Sequence, residues 1–134
     1  MSNVTVWFIK CALVYFIAAM FAGIYMTVVG PVYPIKPIHT HLNLLGWITM
    51  MIYGVGYHIL PRFSGAPLWS EKLSVVQLWT ANIGLIGMII GWAVEYSAGR
   101  GVLHAFALVS GFSAFIFVLN MFKTIKPAPA PAKK

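Results

Sequence analysis

The side chains in this sequence that could do chemistry are four histidines, His39, His41, His58 and His104. Histidine is a common metal ligand and holds haem iron in many proteins. A helix turns about 100° per residue, so His39 and His41 would point about 200° apart, to nearly opposite faces. They cannot clamp one ion together as histidines at i and i+4 do. Each can serve its own metal centre, one on either side of the helix. His58 lies roughly 25 Å further along the same helix axis, too far to share a site with them. One cysteine, Cys11, excludes an internal disulfide and an all-thiolate metal site.

The stretch that carries three of these histidines runs from His39 to Arg62. It is mostly apolar, bounded by a proline cluster before it and by Pro61-Arg62 after it, and long enough to cross a bilayer as a helix. Ionisable groups inside such a segment are costly and mark a functional site by default.

The same stretch contains His39-x-His41, Leu45-Gly46-Trp47, Met51, Gly54, Tyr57 and Leu60-Pro61-Arg62. In content and spacing it resembles the tenth transmembrane helix of subunit I of the haem-copper oxidases, most closely the cbb-type. The resemblance covers about 24 residues well and the remainder in general character. It implies that the first histidine ligates a high-spin haem and the second a low-spin haem. It also implies what is missing: the complete oxygen-reducing centre of the family needs more histidines than the four present here. Haem b is therefore the expected cofactor, copper is not expected in a single chain, and the chain alone is not a complete oxygen reductase.

Composition fits a membrane protein. The chain has 134 residues, of which 60% are hydrophobic and 8% charged, far from the soluble norm. Nine Lys and Arg outnumber two acids, Glu71 and Glu95. The basic residues sit at the ends of apolar runs and form no clustered face, which argues for membrane flanks and against nucleic-acid binding. The expected architecture is all-α, an integral membrane four-helix bundle spanning 1–126 with helices over about 4–29, 39–60, 73–96 and 102–122. A Pro/Ala/Lys tail follows over 127–134 and is expected to be mobile. The first helix is read as retained, since its apolar run is too long for a signal peptide. Ala18, Ala22 and Gly23 offer it a small-residue stripe, and Gly84, Gly87 and Gly91 do the same for the third helix. Gly30 to Ile38, with three prolines, reads as an extended connection. Gln77 and Asn82 are expected to face the interior.

Four crossings place both termini on one side, with Lys10, Arg62, Lys72, Lys123, Lys126, Lys133 and Lys134; Lys36 and Arg100 lie on the other. The positive-inside rule then puts both termini in the cytoplasm, in the inner membrane of a bacterium. His39, His41 and His104 start parallel helices at the opposite, outer side. His58 is read as an interfacial side chain, and Glu95 as a helix-end group able to pair with Arg100. Arg62 and Arg100 read as membrane-flanking charges, and Trp47, Trp69, Trp79 and Trp92 as belt or packing residues.

Two arrangements supply a second axial ligand. His41 and His104 of one chain could hold a haem within the bundle. Alternatively His39 of one chain and His41 of a neighbour could share one across an interface, and the opposite-face spacing favours this. The family's subunit I has twelve helices in three four-helix units, and this chain resembles one unit. A homo-oligomer, a trimer in particular, could rebuild a similar ring. The leading function is a membrane b-type haem protein that transfers electrons with a redox partner or binds a gas ligand. The rivals are a haem-based sensor or haem carrier, and a haem-free accessory subunit of a larger respiratory oxidase. The topology is checked by reporter fusions at Ser2 and Lys134, both expected to read cytoplasmic; a periplasmic signal from either overturns it.

Overall fold

In the computed structural model, residues 1–127 are described, and the tail read over 127–134 lies outside them beyond Pro127. The described chain is all helical, with no strand. Helix α1 spans Asn3–Val29, α2 Ile35–Phe63, α3 Glu71–Ala93 and α4 Gly101–Thr124. A single turn of helix, Glu95–Ala98, sits between α3 and α4. The four helices have 27, 29, 23 and 24 residues, each long and apolar enough to cross a membrane.

Local chemistry sets the helix ends. The Ser2 hydroxyl caps α1 by accepting from the Thr5 N–H at 3.3 Å, and Ser70 caps α3 by accepting from Leu73 N–H at 3.3 Å. Glu71 then places a negative charge in the first turn of α3, where the helix dipole favours it. Gly30 closes α1 at φ 83°, a left-handed conformation that suits glycine.

The structure departs from the expected boundaries at the prolines. The connection expected to be extended through Ile38 ends early, because α2 begins at Ile35 with Pro37 inside its first turn. The first N–H groups of a helix have no intrahelical partner, so a proline there forfeits no hydrogen bond. At its other end α2 runs through Pro61 to Phe63. Pro61 lies in the last turn, where its missing N–H leaves the Tyr57 carbonyl without its usual helical donor. The third helix starts at Glu71, ahead of its expected 73, because Ser70 supplies the cap, and it ends at Ala93, short of the expected 96, where Val94 separates it from the one-turn helix Glu95–Ala98.

Contacts between helices fix their order. Gly54 of α2 lies against Thr5, Phe8 and Ile9 of α1, while Gly23 near the end of α1 lies against His39, so the pair is antiparallel. On α3, Gly84, Gly87 and Gly91 meet Ser110, Phe106 and Leu103 of α4, again antiparallel. A Cβ on Gly84 would come within 2.7 Å of the Ser110 nitrogen, and one on Gly91 within 2.7 Å of the Leu103 Cα. This is the close backbone approach that small residues allow in membranes. On α1 the small residues that pack are Ala12, Ala19 and Gly23. Ala18, expected on that stripe, is exposed.

Phe8, Ala12, Met50, Tyr53, Tyr57, Ala81 and Met121 form the shared core. Polar groups close the end of the bundle where α1 begins and α4 finishes. Asn120 accepts from the Ser70 N–H at 3.1 Å and donates to the Ser70 carbonyl at 2.9 Å, so one amide fixes the loop before α3 onto α4. Thr124 accepts from the Trp69 N–H at 3.0 Å beside it. Gln77 is fully buried as expected. Asn82 is half-buried and accepts from the Tyr15 hydroxyl at 2.8 Å. The outer faces carry large apolar side chains, among them Leu108, Phe112, Phe115, Val118 and Phe122 on α4.

The two kinds of glycine on the α3–α4 pair respond differently to a methyl group. Gly84→Ala is expected to destabilise the purified protein by about 1–3 kcal/mol, because two backbones must part. Gly111→Ala, where a Cβ meets nothing within 4 Å, is expected to be neutral or mildly stabilising. Thermal unfolding of both variants in detergent reads the difference; equal midpoints would remove the close contact from the account of stability.

Candidate functional site

The end of the bundle that holds His39 and His41 is built from the first turns of α2, the last turns of α1 and α3, and the start of α4. His39 leaves α2 toward α1. Its Nδ1 lies 2.9 Å from the Ala19 carbonyl. A carbonyl only accepts, so Nδ1 carries the proton and Nε2 the lone pair. Gly23 lies over the ring, and a Cβ there would sit 2.9 Å from the His39 Cε1. The absence of a side chain at Gly23 is what admits the imidazole between the helices.

His41 leaves α2 on another side, toward α3. Its ring centroid lies 4.5 Å from that of Trp92, tilted by 48°. Its Nδ1 lies 2.9 Å from the Pro37 carbonyl, which by the same argument leaves the lone pair on Nε2. Both histidines therefore present the same tautomer, with Nδ1–H held by a backbone carbonyl. That is the arrangement by which a metal-ligating imidazole is usually oriented and made more basic.

Residue spacing expressed as faces holds in three dimensions. His39 addresses α1 and His41 addresses Trp92, so the two do not converge. His104 is exposed at the start of α4, next to Leu103, which packs on Gly91. Among the described residues no three His, Cys, Asp or Glu side chains group as a metal site. Glu95 and Arg100 pair at 2.5 Å across the one-turn helix, with Arg100 71% exposed. Tyr33, from the loop before α2, meets Tyr96 edge-on at 5.7 Å beside them. At the far end of α2, His58 accepts from the Arg62 guanidinium one turn on.

Two residues of this site escape a reading by type alone. Asn43 donates to the His39 carbonyl at 3.1 Å and lies 3.3 Å from His39 Nε2. It is one turn beyond His39, so helical spacing was the available signal. The Ala19 carbonyl has no signal in sequence, since any residue carries one. The second omission is a change of helix type. From Leu42 to Thr49, directly after His41, α2 is π-helical, bonded i to i+5. Gly46 sits in its middle, where a Cβ would fall 2.6 Å from Tyr15 Cβ and 3.1 Å from Leu85 Cδ2. Trp47 follows, packed on Phe16 at 4.7 Å. π-Segments occur often at functional sites, and this one begins where the histidines end.

Comparison with known proteins adds one result. A family model described as cytochrome C and quinol oxidase polypeptide I matches residues 3–134. No curated protein and no solved structure matches the chain. The match spans nearly the whole sequence, includes the helix that bears His39 and His41, and agrees with the all-helical, multi-pass architecture. The chain belongs to the cytochrome c and quinol oxidase polypeptide I family, the subunit I family of the haem-copper oxidases.

Proposed function

We propose that this chain is a membrane-embedded b-type haem protein in which His39 and His41 each present Nε2 to a haem iron. The observation that carries the reading is their shared tautomer: both Nδ1–H groups are held at 2.9 Å by backbone carbonyls while the rings address different sides of α2. The residues fit a haem because an iron in this class needs one or two imidazole nitrogens and an apolar surround. Trp92 supplies such a surround for His41. Haem b, when bound, would supply one-electron transfer with two imidazoles on the iron, or gas binding with one.

The chain's own residues then have defined tasks. The Ala19 and Pro37 carbonyls fix ring orientation and push electron density toward Nε2. Asn43 lies against the lone pair of His39 and must turn away before that nitrogen ligates. Gly23 keeps the space that the His39 ring needs. Four histidines with no three-ligand cluster among the described residues fall short of a haem-copper centre, so copper is not assigned to the single chain.

The second axial ligand is assigned to another copy of the chain, His39 of one subunit meeting His41 of its neighbour in a closed ring, three copies giving twelve helices. The exposed position of His104 supports this over a His41–His104 pair inside the bundle. Both His39 and His41 are half-buried, each keeping part of its surface open. A bacterial inner membrane with both termini cytoplasmic completes the reading, supported by Arg62, Lys72, Lys123 and Lys126 at the end where α1 begins and α4 finishes.

Purified protein supplied with haem is expected to show Soret and alpha bands of a b-type haem. His41→Ala is expected to abolish or strongly shift them, while His58→Ala at the opposite end leaves them nearly intact. A folded His41→Ala protein with an unchanged spectrum removes His41 as ligand, and a folded parent protein that takes up no haem favours the accessory-subunit rival.

The source of the second ligand is read by co-expressing His39→Ala and His41→Ala chains in one membrane. Mixed oligomers regain one interface with both ligands, so low-spin haem is expected to return in part, and in neither variant alone. If mixing restores nothing and His104→Ala alone gives a high-spin spectrum, His41 and His104 form the pair.

A further inference from the structure

Away from the histidines of the outer end, the opposite end of the molecule carries two adjoining hollows of contrasting chemistry. One is a polar cavity of about 680 Å³ between the start of α1, the end of α2 and the start of α3. His58, Arg62 and Tyr57 line it, together with Glu71 and Ser74. The other is an apolar groove of about 580 Å³ between α1 and α3, walled by Trp7, Val75, Leu78, Trp79 and Ile86. Asn3, Val4 and Val75 line both, so the groove opens from the cavity.

The polar cavity is built to receive an acceptor-rich group. Arg62 uses one guanidinium N–H on His58 Nε2, which leaves four further donors on a residue that is itself exposed. Because His58 accepts there, its proton is on Nδ1, a further donor. Tyr57 is 6% exposed and lies on the wall, its hydroxyl beside Asn120 but making no hydrogen bond of ordinary geometry among the described residues. Glu71 is the one carboxylate on the wall and sits at the α3 N-terminus, where the helix dipole already balances part of its charge. Lys10 lies outside the walls of the cavity, its Nζ 5.3 Å from the ring of Trp7, which walls the groove.

The groove fits a hydrocarbon tail. From Val75 to Ile86 it follows α3 for about 16 Å, close to half of the roughly 30 Å hydrocarbon core. Of its two asparagines, Asn3 lies at the mouth shared with the cavity, and Asn82, further in, has its amide occupied, accepting from Tyr15 and donating to the Leu78 carbonyl at 2.8 Å. The groove therefore offers little to a hydrogen-bonding ring and much to an acyl chain. A cationic cavity continuous with an apolar groove one leaflet deep matches an amphiphile with an anionic head.

We propose that this joined cavity and groove is a binding site for an anionic phospholipid, its phosphate on Arg62 and His58 and one acyl chain along Trp7 and Trp79. The site is independent of the haem reading and involves none of its ligands.

Native mass spectrometry of the full chain from detergent, titrated with phosphatidylglycerol or phosphatidylcholine, tests it. One phosphatidylglycerol per chain is expected to be retained in preference to phosphatidylcholine. Arg62→Gln is expected to weaken that retention about tenfold, the loss of one charge-assisted hydrogen bond. Trp79→Ala is expected to weaken both lipids alike. Tyr57→Phe, which removes one hydroxyl and keeps the packing, is expected to narrow the preference for the anionic lipid. Inorganic phosphate at millimolar concentration is expected not to displace the lipid. Equal binding of the two lipids, an Arg62→Gln protein with normal helical content and undiminished preference, displacement by free phosphate, or a dimer that closes the groove and retains no lipid each overturns the proposal.

Discussion

A hydrocarbon solvent offers a backbone N–H or carbonyl no partner, so each crossing segment must satisfy its own. That constraint orders the molecule. Four long helices absorb nearly all the described backbone, and the irregular turns fall at their ends. Pro37 sits where a helix has spare N–H groups, while Pro61, in a last turn, forgoes one helical bond. Carbonyls inside the helices gain a second duty. Those of Ala19 and Pro37 hold imidazole N–H groups, so the scaffold itself orients the histidines.

Without a hydrophobic driving force between helices, close fit has to bring them together. The α3–α4 pair achieves it with glycines against backbone, and the α1–α2 pair with Gly54 on one helix and Gly23 on the other. Polar side chains then fix register at one end, where Asn120 grips Ser70. The result is two tight antiparallel pairs joined through a smaller aromatic and methionine core around Phe8, Met50, Tyr53 and Met121. The outer apolar faces are left to lipid.

Much of this was legible in residue type and spacing. Apolar run length gave the number of crossings, and the glycines of α3 announced a close neighbour. The two-residue interval of His39 and His41 gave their separate faces, since helical geometry alone settles it. What was hidden depends on tertiary structure. The bond from His39 to Ala19 requires knowing that α1 returns at that height. The choice of Ala19 over Ala18 as a packing residue requires the rotation of α1. Pro37 was readable as a first-turn proline, but three prolines in nine residues suggested an extended segment more strongly than a helix start. The pairing of His58 with Arg62 was not read from their one-turn interval, and the cavity that both line appears only when α1 and α3 come alongside.

The π-helical run from Leu42 to Thr49 has a consequence for how this helix can vary in length. Each turn bonded to the fifth residue holds more chain than an α-turn, so the run carries surplus backbone wound into the same path. Loss of a residue from an α-helix swings everything beyond it by about 100°. Loss of one from this run could instead be taken up by relaxation toward α-geometry, with His41 still facing Trp92 and Tyr53 still facing Phe8. The run thus acts as a slack coil between the histidine end and a packing end, letting the two drift in sequence separation while each keeps its own face.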